Sequence, residues 1–397
     1  MNDSPGRSAV SGPSGGSDPF RVMVVDDSAV IRGLITRALE SDPEIKVVAS
    51  VANGQMAINT LSRQPIDVIV LDIEMPVLDG LSALPHLLQA DPNVKIVMAS
   101  TLTAKGADIS LRALRAGAAD YIPKPSSTRE LTGADAFKRE LTEKVKALGA
   151  AARRSGSRRE GPATARPAAA PGAAVQPTSG YTLPSPVRAK PETGPLTVRP
   201  LPAEGRPDVI AIGSSTGGPQ ALFEVLGHLR GATQPILITQ HMPATFTTIL
   251  ADHITRQCGI QCAEAKDGEP IVGGRAYVAP GDFHFLVANR NGVPTVQLTK
   301  DAPENFCRPA VDPMLRSIVR QWGRRVLSVI LTGMGHDGQK GCEQVVQAGG
   351  VVIGQDEATS VVWGMPGAVA TAGLCSAILP LKEIGPFIQK IAARRAA

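Results

Sequence analysis

The stretch Gly213-Ser214-Ser215-Thr216-Gly217-Gly218-Pro219 decides how the second half of this chain folds. The apolar run before it, at 208–212, has the length of a buried strand. Apolar residues at helical spacing follow it, and Pro219 suits the first turn of a helix. The sequence therefore predicts a strand-to-helix crossing at the carboxyl end of a strand, where open α/β sheets bind their ligands.

The predicted loop carries three hydroxyl side chains, and one of them could act as a nucleophile. The glycines of the loop permit a tight turn and let a substrate approach the backbone closely. A phosphate-cradling loop or a simple tight turn would use the same residue types. The loop alone leaves these alternatives open, because short motifs match by chance.

The composition of the whole chain predicts two or three folded domains. The chain has 397 residues, of which 43% are hydrophobic, and no run of 18 apolar residues that could span a membrane. The Ser-, Gly- and Pro-rich start at 1–19 predicts a disordered tail rather than a signal peptide. Five cysteines without a C-x-x-C pair favour reduced thiols and a cytoplasmic location.

The positive charge of the chain is concentrated in one segment. The net charge is +5, and residues 149–205 alone hold eight basic and three acidic residues. The same segment contains ten prolines and no apolar periodicity, which predicts a flexible linker. Neither flanking half is strongly basic, so we expect no nucleic-acid partner.

The half before this linker alternates strands and helices from 20 to 148, which predicts five β/α units around a doubly wound parallel sheet. Asp26, Asp27 and Asp72 follow predicted strands, and carboxylates that converge need a cation such as Mg²⁺. Ser100 and Lys124 end neighbouring strands and could hold a phosphoryl group. Acidic residues are common at loop starts, but that alternative explains only one or two of the three.

These residues, with Leu71-Asp72-Ile73-Glu74-Met75-Pro76, Asp79-Gly80 and Lys124-Pro125, resemble a two-component receiver domain. The resemblance implies that Asp72 accepts a phosphoryl group from a histidine kinase. It implies Mg²⁺ contacts from Asp26, Asp27, Asp72 and the carbonyl of Glu74. It also implies a switch formed by Ser100, Tyr121 and Lys124.

The half after the linker is again α/β, and three of its residues suit serine hydrolysis. Ser215, His241 and Asp337 each follow a predicted strand, and a serine nucleophile needs a base and an orienting carboxylate. His241 could instead bond a carbonyl, and Asp337 could cap a helix. His284 and His336 compete for the role of base, and spacing alone does not choose between them.

Five motifs in this half resemble the catalytic domain of the CheB family of chemotaxis protein-glutamate methylesterases. They are the 213–219 loop, Gln240-His241-Met242-Pro243, Tyr277-Val278-Ala279-Pro280-Gly281-Asp282, Arg308-Pro309-Ala310-Val311-Asp312 and Leu331-Thr332-Gly333-Met334-Gly335-His336-Asp337-Gly338. The resemblance implies that Ser215 is the nucleophile, His241 the base and Asp337 its partner. It implies oxyanion or supporting roles for Met334 and Thr216, and we add Arg308 as a substrate contact, with a surface salt bridge as the alternative.

The sequence thus predicts a tail at 1–19, a receiver at 20–148, a linker at 149–205 and a methylesterase domain at 206–397. We expect a phosphorylation-activated cytoplasmic enzyme that demethylates chemoreceptor glutamates and deamidates receptor glutamines, with no cofactor for the esterase chemistry. The principal rival is a receiver that controls a non-catalytic nucleotide-binding or ligand-binding module. The absence of G-x-G-x-x-G counts against it.

Overall fold

The computed structural model of the protein describes residues 18–124, 131–157, 196–202 and 205–394. The predicted N-terminal tail lies almost entirely outside the described residues, as does most of the predicted linker. The described chain forms a first domain, residues 18–157, and a second domain, residues 205–394. Among the described residues, no helix is both long and apolar enough to cross a membrane.

The first domain contains one parallel sheet in the strand order β2-β1-β3-β4-β5. Its strands are β1 (Phe20–Val25), β2 (Ile45–Val51), β3 (Val68–Asp72), β4 (Lys95–Ser100) and β5 (Asp120–Pro123). Its helices are α1 (Ala29–Glu40), α2 (Gly54–Leu61), α3 (Gly80–Ala90), α4 (Ala104–Arg115) and α5 (Leu131–Ser157). The predicted five β/α units and the doubly wound sheet are confirmed.

Polar side chains start the first four helices of this domain. Ser28 caps α1 and accepts a hydrogen bond from the backbone N–H of Ile31. Asn53, Asp79 and Thr103 cap α2, α3 and α4 in the same way. Each cap satisfies a backbone donor that the helix leaves unpaired, so each helix begins directly after a strand-end loop.

Helix α5 continues past residue 148, where the sequence predicted that it would end. Leu148, Ala151 and Ala152 remain buried on its inner face. Arg153 adds an ion pair to Asp67, at 2.8 Å, and lies over the ring of Phe20. Residues 149–157 therefore belong to this helix rather than to a linker, because tertiary packing overrides their loop-like composition.

The other end of the predicted linker lies against the second domain. The backbone N–H of Arg199 donates to the carbonyl of Cys375 at 2.8 Å. Leu201 packs against the apolar core, and Arg394 donates to the carbonyl of Pro202. Residues 196–202 are thus attached to the second domain although they form no helix or strand.

The second domain contains a seven-stranded sheet in the order β14-β13-β12-β6-β7-β9-β8, and every pairing in it is parallel. Its strands are β6 (Val209–Ser214), β7 (Ile236–Gln240), β8 (Gln261–Glu264), β9 (Arg275–Val278), β12 (Val326–Ile330), β13 (Val351–Gln355) and β14 (Ala377–Leu379). A separate antiparallel hairpin pairs β10 (His284–Arg290) with β11 (Val293–Thr299). The α/β class predicted for this half is confirmed.

The helices of the second domain are α6 (Gly218–Gly227), α7 (Ala244–Cys258), α8 (Val311–Trp322), α9 (Gln339–Gln347), α10 (Met365–Thr371) and α11 (Leu381–Ala392). Strand β6 lies in the middle of the sheet, with β7 on one side and β12 on the other. The first residues after these three neighbouring strands are Ser215, His241 and Leu331. The sheet therefore brings the three predicted catalytic loops to one edge.

Candidate active site and phosphorylation site

The acidic residues predicted in the first domain lie together at the carboxyl edge of its sheet. Carboxylate oxygens of Asp26, Asp27 and Asp72 all lie within 4.8 Å of one another. Asp27 and Asp72 line a cavity of about 290 Å³ together with Glu74, Ser100 and Lys124. Hard oxygen ligands with open space beside them fit Mg²⁺, which keeps several of its waters.

Lys124 reaches into the same cluster. Its Nζ lies 2.6 Å from Asp26 Oδ2 and 2.6 Å from Asp72 Oδ1. Burial raises the pKa of Asp72, and the ion pair with Lys124 opposes that rise. A bound Mg²⁺ would neutralise part of the negative charge of these carboxylates and of an incoming phosphoryl group. The Lys124 ammonium would neutralise more of that charge. Glu74 turns its carboxylate outward to Lys105, so only its backbone is left for the metal.

The two other predicted switch residues face different ways. The Ser100 hydroxyl is buried and donates to the carbonyl of Thr101 at 3.2 Å. The Tyr121 ring projects from the first domain and stacks on the Phe246 ring of the second domain. The ring centroids are 4.2 Å apart and the ring planes are 11° from parallel. Burial raises the pKa of Tyr121 well above its ordinary value. The switch aromatic is therefore part of the contact between the domains.

In the second domain, the structure separates the two adjacent serines of the loop. Ser214 is fully buried and donates to Gln240 Oε1 at 2.7 Å. Ser215 is half-buried, and its backbone is held on both sides, by the carbonyl of Thr332 and by the Gln240 amide. Gly333 lies so close that a Cβ there would be 2.9 Å from Ser215 Cβ. Ser215 is the serine that the fold presents beside the Thr332–Asp337 loop.

His241 and Asp337 form a hydrogen-bonded pair, with Nε2 2.8 Å from Oδ2. Asp337 is buried and also accepts hydrogen bonds from four other groups. These donors are the backbone N–H groups of Val311, Asp312 and Gly338 and the side-chain amide of Asn305. Burial opposes ionisation, but His241 and these donors hold the pKa of Asp337 below its usual range. The carboxylate is therefore an anion fixed to orient the ring.

The competing histidines are engaged or located elsewhere. His284 is buried between two backbone groups, bonding the carbonyl of Ala302 and the N–H of Ala310. His336 is exposed. Among the histidines the sequence left open, the structure pairs only His241 with Asp337 within the described residues.

The other ring nitrogen of His241 does not contact the nucleophile. Its Nδ1 lies 3.4 Å from Cys307 Sγ, and within the described part of the chain no hydrogen bond joins Ser215 to the ring. Burial favours the neutral ring, but Cys307 and Asp337 raise the pKa of His241 to about 10. Cys307 and Asn305 were not predicted from the sequence. Their positions, one and three residues before the Arg308–Asp312 motif, were the available signal.

The predicted oxyanion and supporting residues lie at the contact between the domains. Met334 packs against an apolar cluster that includes Leu141 and Val145 of α5. Its backbone N–H makes no hydrogen bond within the described residues, which leaves it available as an oxyanion donor. The Thr216 hydroxyl, however, donates to Asp120 of the first domain at 2.7 Å. Thr216 thus joins the two domains in this arrangement, instead of facing Ser215.

Arg308, predicted to contact substrate, binds its own domain. Its guanidinium donates to the carbonyls of Lys300 and Asp301 at 3.3 and 3.1 Å. Within the described residues these partners are backbone oxygens, and no carboxylate forms a salt bridge with Arg308. The substrate role stays a prediction.

Further polar contacts hold the domains together around this cleft. The Gln220 amide donates to the carbonyls of Leu114 and Ala118. His253 Nε2 lies 2.9 Å from Asp108 Oδ1. Lys144 of α5 supports the Thr216 contact from behind, 3.3 Å from Asp120. The first domain therefore docks through α4, β5 and α5 beside the Ser215 loop.

Comparisons with known proteins agree with this geometry. The family model described as CheB methylesterase matches residues 210–388, and the one described as response regulator receiver domain matches 22–134. A protein of Rhodospirillum centenum named protein-glutamate methylesterase/protein-glutamine glutaminase of group 2 operon is 96% identical, over 100% of both chains. A protein-glutamate methylesterase/protein-glutamine glutaminase of Azospirillum brasilense is 67% identical, also over 100% of both chains.

A solved structure, the CheB methylesterase catalytic domain of Thermotoga maritima, is 38% identical and covers 48% of this chain and 100% of its own, with a TM-score of 0.46. Fold and comparisons together define a response regulator whose output domain is a methylesterase. The chain belongs to the CheB methylesterase family, with the receiver match at residues 22–134 ahead of the methylesterase match at residues 210–388.

Proposed function

We propose that this chain is a phosphorylation-activated esterase that hydrolyses glutamate γ-methyl esters on chemoreceptors. The observation that carries the proposal is the fixed His241–Asp337 pair at the sheet edge that also carries the Ser215 loop. The names of full-length relatives support both the ester substrate and a second activity on protein glutamines. Deamidation uses the same acyl chemistry, with ammonia leaving in place of methanol.

The proposed reaction has two steps, acylation of Ser215 and hydrolysis of the acyl-enzyme. Ser215 Oγ attacks the ester carbonyl while its proton passes to His241, and the negative oxygen that forms lies near the Met334 N–H. The proton then goes from His241 to the methoxy group, which leaves as methanol and gives an acyl-enzyme. Water, deprotonated by His241, attacks the acyl group and releases the glutamate and free Ser215.

The receiver would control this chemistry through its contacts with the catalytic domain. A chemotaxis histidine kinase would supply the phosphoryl group to Asp72, where Asp26, Asp27, Asp72 and the Glu74 carbonyl would hold Mg²⁺. The phosphoryl group draws Ser100 toward it, and Tyr121 repacks away from Phe246. We propose a cytoplasmic location, supported by this receptor substrate and by five free cysteines.

Methanol release from methylated receptor membranes tests the proposal. We expect the full chain to release methanol, and to release it faster with a small-molecule phosphodonor and Mg²⁺. Ammonia release from receptors that carry glutamine at the same positions tests the second activity. If neither product forms while labelled nucleotide binds to the catalytic domain, the non-catalytic ligand-binding alternative is the better account.

A further inference from the structure

A four-residue turn, Glu304–Cys307, lies between the receiver and the catalytic histidine. Its ends are joined by two hydrogen bonds, from Glu304 N–H to Cys307 O at 3.1 Å and from Cys307 N–H to Glu304 O at 2.8 Å. Its central residues, Asn305 and Phe306, have positive φ angles of 51° and 64°. Two positive φ angles in succession define a type I′ turn.

The backbone conformation of this turn is unfavourable for Phe306. Asn tolerates the left-handed region, but the Cβ of a bulky residue such as Phe306 crowds the backbone there, and glycine is the usual choice. The Phe306 side chain is also 81% exposed, so burial in its own domain does not hold it in place. Contacts from neighbouring residues must therefore maintain the conformation.

Two of these contacts anchor the turn to the catalytic domain. Glu304 forms an ion pair with Arg316 of α8. The Asn305 amide donates to Asp337 at 2.9 Å and to Asp312 at 3.0 Å. The turn thus shares a partner with the catalytic pair.

The remaining two contacts point in opposite directions. Cys307 Sγ lies 3.4 Å from Nδ1 of His241. On the other side, the guanidinium carbon of Arg139, on α5 of the receiver, lies 3.9 Å from the centroid of the Phe306 ring. Because Phe306 and Cys307 are adjacent, one short segment links a receiver side chain to the catalytic base.

We propose that the 304–307 turn is a positioning element through which the docked receiver keeps Nδ1 of His241 bound to Cys307 and away from Ser215. This inference rests on the proposed function and adds a regulatory device to it. Covering the cleft would block substrate only, whereas this turn also disables the base. Cys307 acts here as a positioning residue, since the reacting atoms belong to Ser215 and the ester.

The proton balance explains why the arrangement is inactive. With Asp337 at Nε2, Nδ1 is the ring nitrogen left to accept the proton of Ser215. In the docked state both nitrogens carry protons, and Nδ1–H donates to the Cys307 sulfur. When Arg139 leaves Phe306, the turn relaxes, the ring loses its Nδ1 proton to water, and the neutral nitrogen becomes available to Ser215.

The charges around the ring agree with this account. Burial opposes protonation of His241, yet Cys307 and Asp337 together raise its pKa to about 10. Behind Asp337, burial and the neighbouring Asp337 charge raise the pKa of Asp312. Arg316 and Glu304 complete the charged groups near the turn. The receiver contributes Arg139, whose charge lies over Phe306 and not on the ring of His241.

Histidine-selective NMR titration of the full chain tests the inference without any substrate. The His241 signal is identified by its loss in His241→Asn. We expect the resting chain to keep His241 protonated above pH 8, and Cys307→Ala to lower the titration midpoint by about two units, toward the ordinary range. Arg139→Ala, and separately phosphodonor with Mg²⁺, should shift it in the same direction. Lys138→Ala, an exposed neighbour on the same helix, is the matched control.

Methanol release then connects the titration to the chemistry. At pH 7 we expect unphosphorylated Cys307→Ala to work about tenfold faster than the parent chain, and Arg139→Ala to respond less to phosphodonor. Cys307→Ser keeps a hydrogen-bonding group at the position but cannot supply a negative charge, so we expect a rate between those of the parent and Cys307→Ala, which separates the hydrogen bond from the charge.

Different results would reject the two ideas separately. The inference is overturned if the titration midpoint of His241 does not change in Cys307→Ala. It is also overturned if that midpoint changes neither in Arg139→Ala nor with phosphodonor, even when methanol is released normally. A chain that titrates as expected but releases neither methanol nor ammonia contradicts the proposed function and leaves the contact between the turn and His241 established.

Discussion

The receiver site and the catalytic site occupy the same place in two parallel sheets, but only one of them is fully assembled. In the receiver, Lys124 already lies 2.6 Å from both Asp26 and Asp72, beside an open cavity. In the catalytic domain, His241 is bound to Asp337, while its other nitrogen faces Cys307 and not Ser215. The cluster in the first site is thus already joined, whereas within the described residues no hydrogen bond joins Ser215 to His241 in the second.

The difference shows where control of the enzyme resides. The contacts between the domains include Thr216, Met334 and Phe306, which lie at the edge of the sheet that carries the Ser215 loop. We propose that the receiver can be phosphorylated while it is docked. Phosphorylation would then oppose the contacts between the domains. The fraction of the receiver that is released depends on the free-energy difference between the docked and free states.

The largest effect is expected from the nucleophile. Ser215→Ala should lower kcat by about 10⁴- to 10⁶-fold, because the remaining groups cannot form an acyl-enzyme. Ser214→Ala is the matched control: it removes a buried hydrogen bond to Gln240, should cost about 1–3 kcal/mol of stability, and should largely spare turnover. Initial rates of methanol release measure both variants. Equal losses in the two variants would contradict the choice of Ser215.

The second prediction concerns the receiver as a whole. The 206–397 fragment, and the full chain with phosphodonor and Mg²⁺, should both exceed the unphosphorylated full chain, by about 5- to 150-fold. Asp72→Asn should abolish the response to phosphodonor. Because loop closure costs little more as a linker lengthens, the long linker should weaken autoinhibition without removing it. A fragment no faster than the resting chain would show that the receiver only tethers the enzyme.

The third prediction separates two roles for Thr216. Thr216→Val removes the hydrogen bond to Asp120, which remains paired with Lys144, and should weaken docking by about 1.5 kcal/mol. Basal hydrolysis by the full chain should then rise by up to about tenfold, with the 206–397 fragment unaffected. If the fragment itself slows, Thr216 supports the oxyanion as the sequence predicted.

The smallest effect is expected at Arg308. Arg308→Ala should raise KM for receptor about fivefold, equivalent to about 1 kcal/mol, with kcat little changed. Arg308→Lys keeps the charge but not the paired donors to Lys300 and Asp301, so it distinguishes substrate contact from loop support. Unchanged kinetics in Arg308→Ala would remove Arg308 from the site.

The sequence alone determined both folds and the edges that carry chemistry. Apolar strands that alternate with helices build parallel sheets, and parallel strands place their carboxyl ends, which here lead to Asp72, Ser215 and His241, on one side of each sheet. The phosphoacceptor cluster needed nothing more, because its residues follow adjacent strands. The end of α5 could not be predicted from the sequence, because Leu148 and Ala151 are buried by packing that local composition does not reveal.

Only the tertiary structure decided how the two halves meet and what state the base occupies. The hydrogen bond from Thr216 to Asp120 and the contact of Arg139 with the Phe306 ring join residues about 100 or more positions apart in the sequence. No local sequence pattern encodes such pairs. The contact between Cys307 and His241 likewise depends on a turn in which Phe306 has a positive φ angle that its bulky side chain disfavours. Local sequence sets which elements form, whereas the protonation of His241 depends on the groups that docking and packing bring around it.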